Sequence, residues 1–325
     1  MTDHDSSTAE IPNWMQSALG LSANDVVCLD GGLATELENR GYQFNTKLWS
    51  AELLLNNPTA IHDSHMAYLE ADARIITSAS YQATLQGLSD CGIDPDRSRK
   101  VLTDSIDIAL QARDDYRGKS GSGTALVAAS IGPYGAYLAN GSEYRGNYGL
   151  NIQSLVDFHQ ERIGLMDGSG ADILALETIP DHHEACALAS ILKNVSTPCW
   201  ISFSCNDADH LRDGTPIQNS AALFRDIQSV FAIGVNCTSP EHVTPLIRKL
   251  RSSAPSKSVI AYPNSGEDYQ QGTWSGEHSL NQWQQGCRDW INAGARIIGG
   301  CCRIGPDEIK QLADIIDSSS RTEER

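Results

Sequence analysis

Phe-Ala-Ile-Gly-Val-Asn-Cys, residues 231–237, is an unbroken apolar run that ends on an amide and a thiol. It carries no alternation of apolar and polar residues, the mark of a strand covered on both faces, as in a parallel sheet. Similar short β-rich runs recur at 26–29, 74–78, 125–131, 173–176, 200–204, 258–262 and 296–298. Between them lie segments of helical pattern. In 58–73, Ile61, His65, Tyr68 and Leu69 share a face and Pro58 suits a first turn. Residues 154–169 form another, and 239–252 opens on Ser-Pro-Glu with Ser239 as N-cap. Eight strands alternating with helices predict an α/β protein built as a single (β/α)8 TIM barrel, with a doubly wound open sheet as the runner-up.

At 325 residues the chain suits one such barrel, and no composition break or linker divides it. Residues 1–20 are expected to be an N-terminal extension or helix, 21–317 the barrel, and 318–325 a frayed tail. The stretch 117–123, Arg-Gly-Lys-Ser-Gly-Ser-Gly, reads as a flexible surface loop.

Charge and cysteine usage narrow the function. A formal net charge of −17 argues against nucleic acid, whose phosphates demand clustered Lys and Arg. No segment has the apolar length to cross a bilayer. The first ten residues are polar and acidic, unlike a secretory signal or a basic transit peptide. Nine scattered cysteines do not make a disulfide framework and fit a reducing compartment, so a cytoplasmic location is expected.

In a barrel, the loop after each strand carries the chemistry. Here the strand ends deliver Asp30-Gly31-Gly32, Ser80-Tyr81-Gln82, Gly132-Pro133-Tyr134-Gly135, Glu177-Thr178, Cys205-Asn206, Asn236-Cys237, residues 263–266, and Gly299-Gly300-Cys301-Cys302-Arg303. Adjacent cysteines rarely bond to each other, and two glycines before them permit unusual dihedrals that could turn both sulfurs toward one ion. With Cys237 at an equivalent depth, Cys237, Cys301 and Cys302 form a soft triad with a tetrahedral position left open. That is a catalytic zinc arrangement, suited to a substrate that is itself a thiol. Competing readings are a vicinal redox disulfide and a closed structural site with Cys205 as fourth ligand. A zinc hydrolase would need a water-activating base and usually His ligands, which neither cluster offers. A non-enzymatic zinc-stabilised barrel would need a fourth protein ligand.

Duller readings suffice elsewhere. Cys28, Cys186, Cys199 and Cys287 read as small buried hydrophobes. Asp181-His182-His183-Glu184 reads as a helix start capped by Asp181, and His62 and His65 as a partly solvated helix face. Gly118-Lys119-Ser120 lacks the upstream glycine of a phosphate-binding loop.

The sequence resembles the homocysteine S-methyltransferase family along nearly its whole length. The resemblance is carried by Leu-Asp-Gly-Gly-Leu-Ala-Thr-Glu-Leu at 29–37, Leu-Trp-Ser-Ala at 48–51, Thr-Ser-Ala-Ser-Tyr-Gln-Ala at 77–83 and Gly-Pro-Tyr-Gly-Ala-Tyr-Leu-Ala at 132–139. Further along stand Gly-Ser-Glu-Tyr-Arg-Gly at 141–146, Glu-Thr at 177–178, Gly-Val-Asn-Cys at 234–237, Tyr-Pro-Asn-Ser-Gly-Glu at 262–267 and Gly-Gly-Cys-Cys-Arg at 299–303. One departure is Gly-Asn-Tyr at 146–148, where Gly-Asp-Tyr is expected. The resemblance implies Zn2+ on the three cysteines, L-homocysteine as acceptor, and S-methylmethionine or S-adenosylmethionine as donor. It also supports Asp30 and Glu177 as partners of the homocysteine amino group, since a carboxylate ending an apolar strand is expensive to bury without a cation. Tyr81 and Asn236 are candidates to line the pocket, and residues 262–267 to shape its donor side. The expected partners are these small molecules alone, with a monomer favoured.

Overall fold

The structure, a computed structural model, describes residues 10–43, 50–121, 124–266, 268–270, 273–275 and 280–323. Seven parallel strands come first: β1 (Val27–Cys28), β2 (Ile75–Thr77), β3 (Leu126–Ile131), β4 (Ile173–Ile179), β5 (Cys199–Phe203), β6 (Val230–Asn236) and β7 (Ser258–Tyr262). A small antiparallel hairpin, β8 (Asp268–Gln270) with β9 (Thr273–Ser275), precedes the last barrel strand, β10 (Ile297–Ile298). The sheet order is β1-β10-β7-β6-β5-β4-β3-β2. The ring closes where Leu29 bridges Ile75, with Arg74 N donating to Cys28 O at 2.7 Å and Asp30 N to Ile75 O at 3.0 Å. The (β/α)8 barrel read from the sequence is therefore the fold.

Period two along the strands sorts side chains between two cores. One set faces the helices. The other fills the barrel and includes Val27, Leu29, Ile75, Leu126, Ala128, Ile173, Ala175, Trp200, Ala232, Ile260 and Ile297. Ile11, Met15 and Leu19 join this inner core, the last two from the helix Asn13–Leu19, so part of the segment expected as an N-terminal extension or helix packs on one end of the barrel. Climbing each strand by twos from the inner core leads to Thr77, Ser130, Glu177, Ser202, Asn236 and Tyr262. The inward ladder turns polar toward the carboxyl ends of the strands.

Several expectations need correction. The helix Pro95–Ser120 runs through residues 117–120 and ends on left-handed Gly121, so most of the supposed loop is helix; 122–123 lie outside the described residues. The final helix, Pro306–Glu323, extends into the segment 318–325. His65 is fully buried with neither ring nitrogen bonded, whereas His62 meets Asp115 at 3.0 Å near solvent. Position Ser239 does precede the helix Pro240–Ser253, but its side chain makes no capping bond. Asp181 caps His182–Leu192 as read, accepting from His183 N and Glu184 N. Cys28, Cys199 and Cys287 are buried free thiols, while Cys186 is half-buried. Residues 1–9, 48–49, 267 and 324–325, which carry parts of the sequence expectations, lie outside the described residues.

Candidate active site at the mouth of the barrel

One cavity sits at the carboxyl ends of the strands, and Asp30, Tyr81, Glu177, Asn236, Cys237, Cys301 and Cys302 all line it. Seven positions scattered from 30 to 302 thus meet in one place, as barrel topology requires of strand ends.

The cysteines form its metal-competent corner. Their sulfurs lie within 4.8 Å of one another, the sole such cluster among the described residues. Cys302 Sγ is 4.0 Å from Cys237 Sγ and from Cys301 Sγ. A tetrahedron with Zn–S bonds of about 2.3 Å has edges of about 3.8 Å, so the two edges through Cys302 fit the ion. Cys237 and Cys301 are joined as a disulfide, so the bonded pair is not the vicinal one. Metal uptake needs both as thiolates. Burial pushes the Cys302 thiol up to about 11, so holding it as a thiolate at neutral pH calls for a cation beside it. Cys205 lies outside the cluster and is buried, its thiol pushed up to about 12, which leaves the triad without a fourth cysteine.

The backbone that presents these groups is unusual, and not where the sequence pointed. Gly299 and Gly300 do not have positive φ. They are small because space is short: a Cβ on Gly299 would stand 2.6 Å from Asp30 O, and one on Gly300 2.1 Å from Ile304 Cγ2. The left-handed residues are instead Thr178 (φ 61°), Cys237 (φ 46°) and Arg303 (φ 67°). Non-glycine residues adopt this region only when their surroundings hold them there. At Thr178 the β4–β5 register shifts between Leu176 and Ile179, a bulge that re-aims Glu177 and Thr178. Asn236 clamps it: Oδ1 accepts from Thr178 N at 2.7 Å, and Nδ2 donates to Thr178 Oγ1 at 2.7 Å. At Cys237 the clamp is Arg212, which donates to Cys237 O at 3.1 Å and to Ser204 Oγ at 3.0 Å.

Both carboxylates are buried. Asp30 Oδ2 accepts from Thr77 N at 2.7 Å and from Thr77 Oγ1 at 3.0 Å. Desolvation still holds its carboxyl well above the usual range, with the Glu177 charge adding to the effect. Glu177 accepts from Ser130 Oγ and from the Tyr262 hydroxyl, and burial pushes its carboxyl up to about 7. The two are desolvated acids without a cation, which is what a bound ammonium would correct. Tyr262 belongs beneath Glu177, its hydroxyl also accepting from Trp200 Nε1 at 3.1 Å. Tyr81 shares a hydrogen bond with the Thr178 side chain. Asn236 Nδ2 also approaches Cys301 Sγ at 3.9 Å, so its amide links the carboxylate bulge to the thiol corner.

Sequence reasoning missed Glu143, Tyr144 and Arg212 as site residues. Tyr144 Oη lies 4.0 Å from Cys302 Sγ, and the Arg212 guanidinium sits over the Tyr144 ring at 5.6 Å. Glu143 and Tyr144 stood in the quoted Gly-Ser-Glu-Tyr-Arg-Gly motif, but no strand or periodicity aimed them anywhere. Asn147, the departure from the expected motif, has φ 55° and donates its N–H to Asp181 Oδ2 at 2.7 Å. Asparagine is among the few residues that accept that conformation readily, so the loop keeps its shape.

A profile of the homocysteine S-methyltransferase family matches residues 27–316. The homocysteine S-methyltransferase YbgG of Bacillus subtilis is 41% identical over 300 residues, covering 90% of this chain and 95% of the relative. The homocysteine S-methyltransferase of Escherichia coli is 42% identical over 298 residues, covering 90% and 96%. The crystal structure of the metallated homocysteine methyltransferase MmuM from Escherichia coli superposes with a TM-score of 0.82 at 38% identity, covering 93% of this chain and 99% of that one. The chain is a methyltransferase and belongs to the homocysteine S-methyltransferase family.

Proposed function

We propose that the protein transfers a methyl group from a sulfonium donor, S-methylmethionine or S-adenosylmethionine, to the thiol of L-homocysteine, giving methionine, with Zn2+ held by Cys237, Cys301 and Cys302. The observation that carries this reading is the convergence of three sulfurs beside two buried, cation-free carboxylates in one cavity. Zinc bound there would supply the positive charge that keeps a fourth sulfur deprotonated near neutral pH.

Asp30 and Glu177 receive the homocysteine ammonium, fixing the amino acid so that its thiol points to the cysteine corner. Asn236 and Arg212 hold the bulge and the Cys237 turn that aim these groups. The thiol proton goes to solvent, and the sulfur lone pair forms the new S–CH3 bond. The old C–S bond breaks in line, its electron pair staying on the donor sulfur, which leaves as a neutral thioether. The leaving group is already activated by its charge, so no general acid is needed. Catalysis reduces to nucleophile activation and alignment, and alignment alone can supply about 7–11 kcal/mol in favourable cases.

X-ray absorption at the zinc edge tests the reading on the reduced, zinc-loaded enzyme. Addition of homocysteine is expected to change mixed sulfur and light-atom coordination into four sulfurs. Four protein sulfurs before any substrate is added would refute it.

A further inference from the structure

The cavity contains a third carboxylate that the acceptor site does not use. Glu143 lies in the short turn Ser142–Tyr144 and lines the cavity with Tyr81 and Tyr144. Its backbone is fixed from two sides. A Cβ on Gly135 would stand 2.5 Å from Glu143 N, so the turn after β3 closes on this segment only because position 135 is glycine. Ser142 N donates to Asn140 Oδ1 at 3.1 Å, and Gly146 N to Ser142 O at 2.9 Å.

Glu143 Oε2 is shielded from solvent and has no hydrogen-bond partner. Asp30 has the two Thr77 donors, and Glu177 has Ser130 and Tyr262. The neighbouring Arg145 guanidinium donates to Asn140 O and Ser142 Oγ, at 3.2 and 3.3 Å. Among the described residues that line the cavity there is no Lys, Arg or His. A dry carboxylate oxygen without a hydrogen bond is unfavourable, and the nearest cation, Arg145, acts on this one only through space while its own N–H groups are bonded elsewhere. A ligand can bring a direct partner. Homocysteine has one ammonium, and Asp30 and Glu177 are there to meet it. The donor brings its own ammonium and the sulfonium, and of these only the sulfonium has to reach the sulfur corner. Glu143 stands on the side of the cavity where Tyr144 approaches Cys302, beside the sulfur corner at which the methyl group has to arrive.

We propose that Glu143, flanked by Tyr81 and Tyr144, is the receptor for the positive charge of the methyl donor and selects a cationic donor over a neutral or anionic one. This deepens the transfer reaction proposed above and rests on it. A donor rich in carboxylates or phosphates would meet three acids and no compensating base. A sulfonium meets a carboxylate whose oxygen has no other partner, and a tyrosine on either side can share its charge through the ring.

Calorimetry on the zinc-loaded enzyme tests this with two ligands of one shape. S-methylmethionine carries S+ where homoleucine carries a neutral CH. The wild type is expected to bind the sulfonium at least tenfold more tightly, and Glu143→Gln to remove that preference. The variant should also raise the KM for S-methylmethionine ten- to a hundredfold, while zinc content and the homocysteine KM stay within twofold. Glu143→Asp, which keeps the charge, should restore part of the preference. A preference that survives in Glu143→Gln overturns the assignment, as does a variant that loses zinc or homocysteine affinity to the same extent. Charge-selective binding in a wild type that transfers no methyl group would uphold Glu143 and defeat the reaction. Transfer by a wild type that binds both ligands equally would do the reverse.

Discussion

The two ends of the barrel interior are built from the same strands and obey opposite rules. At the amino ends, Val27, Ile75, Leu126, Ile173 and Trp200 pack against Met15 and Leu19 of the helix Asn13–Leu19. At the carboxyl ends, two to four residues further along, the inward positions are Thr77, Ser130, Glu177, Ser202, Asn236 and Tyr262, several of them bonded to one another. Thr178, Cys237 and Arg303, three of the left-handed non-glycine residues, stand at this second end. The first end is fully buried and apolar, and supplies stability. The second holds desolvated acids and left-handed backbone that lower stability, and the packing below keeps them in place. The contrast predicts that substitutions at the two ends will separate activity from stability.

The largest effect is expected at the cysteine corner. Cys302→Ala leaves two sulfurs for an ion that needs three protein ligands, and activity should fall at least about a thousandfold, more than about 4 kcal/mol of barrier. Bound zinc, measured on the reduced protein, should fall with it. Full activity in a zinc-free Cys302→Ala protein would break the link between corner and reaction. At the other end, Met15→Ala removes a fully buried side chain and should lower stability by about 2–5 kcal/mol in denaturant unfolding. Zinc content and both KM values should not move. If Met15→Ala changed the KM for homocysteine as much as its stability, the two ends would be coupled and the division between them would fail.

How much of this was legible depends on the kind of pattern each feature leaves. Continuous apolar runs such as 125–131 and 173–176 mark buried strands, and a polar residue after each marks the functional end. Asp30, Glu177 and Cys237 could therefore be found without coordinates. The clamps could not. Asn236 looked like a pocket-lining amide because nothing local says that Thr178, 58 residues away, sits in a left-handed bulge that needs it. Arg212 is invisible for the same reason, since its partner Cys237 O is a backbone atom 25 residues away, just past the end of β6. Gly299 and Gly300 were misread because a glycine required for close approach and one required for positive φ are the same letter. The run 117–120 failed because glycine and serine suggested a loop where the preceding 22 positions of helix 95–120 simply continue to the Gly121 cap.

The smallest expected effect is also the one that separates the ends most directly. Glu177 titrates near 7 in the folded protein because of burial, against about 4.5 for an ordinary glutamate. Between those values the folded chain holds a proton that the unfolded chain has released, so this residue's contribution to stability falls as pH rises through that window and levels off above 7. The loss approaches about 3–4 kcal/mol, at about 1.4 kcal/mol for each pH unit between 4.5 and 7. Glu177→Gln, which cannot ionise, should therefore be more stable than the wild type at pH 8 by up to that amount and nearly equal to it at pH 4.5. Ligand binding runs the other way. An ammonium pairs with the ionised carboxylate, so below pH 7 it must displace the proton first. Methionine has the same ammonium and no thiol to confuse the titration. Its affinity should rise by as much as about tenfold per pH unit up to pH 7 and then flatten. In Glu177→Gln the affinity should be weak and independent of pH. A wild-type profile without slope below pH 7, or a Glu177→Gln protein less stable than wild type at pH 8, would mean that Glu177 already has its counter-charge within the fold, and the carboxyl ends of the strands would then carry no stored penalty for a substrate to relieve.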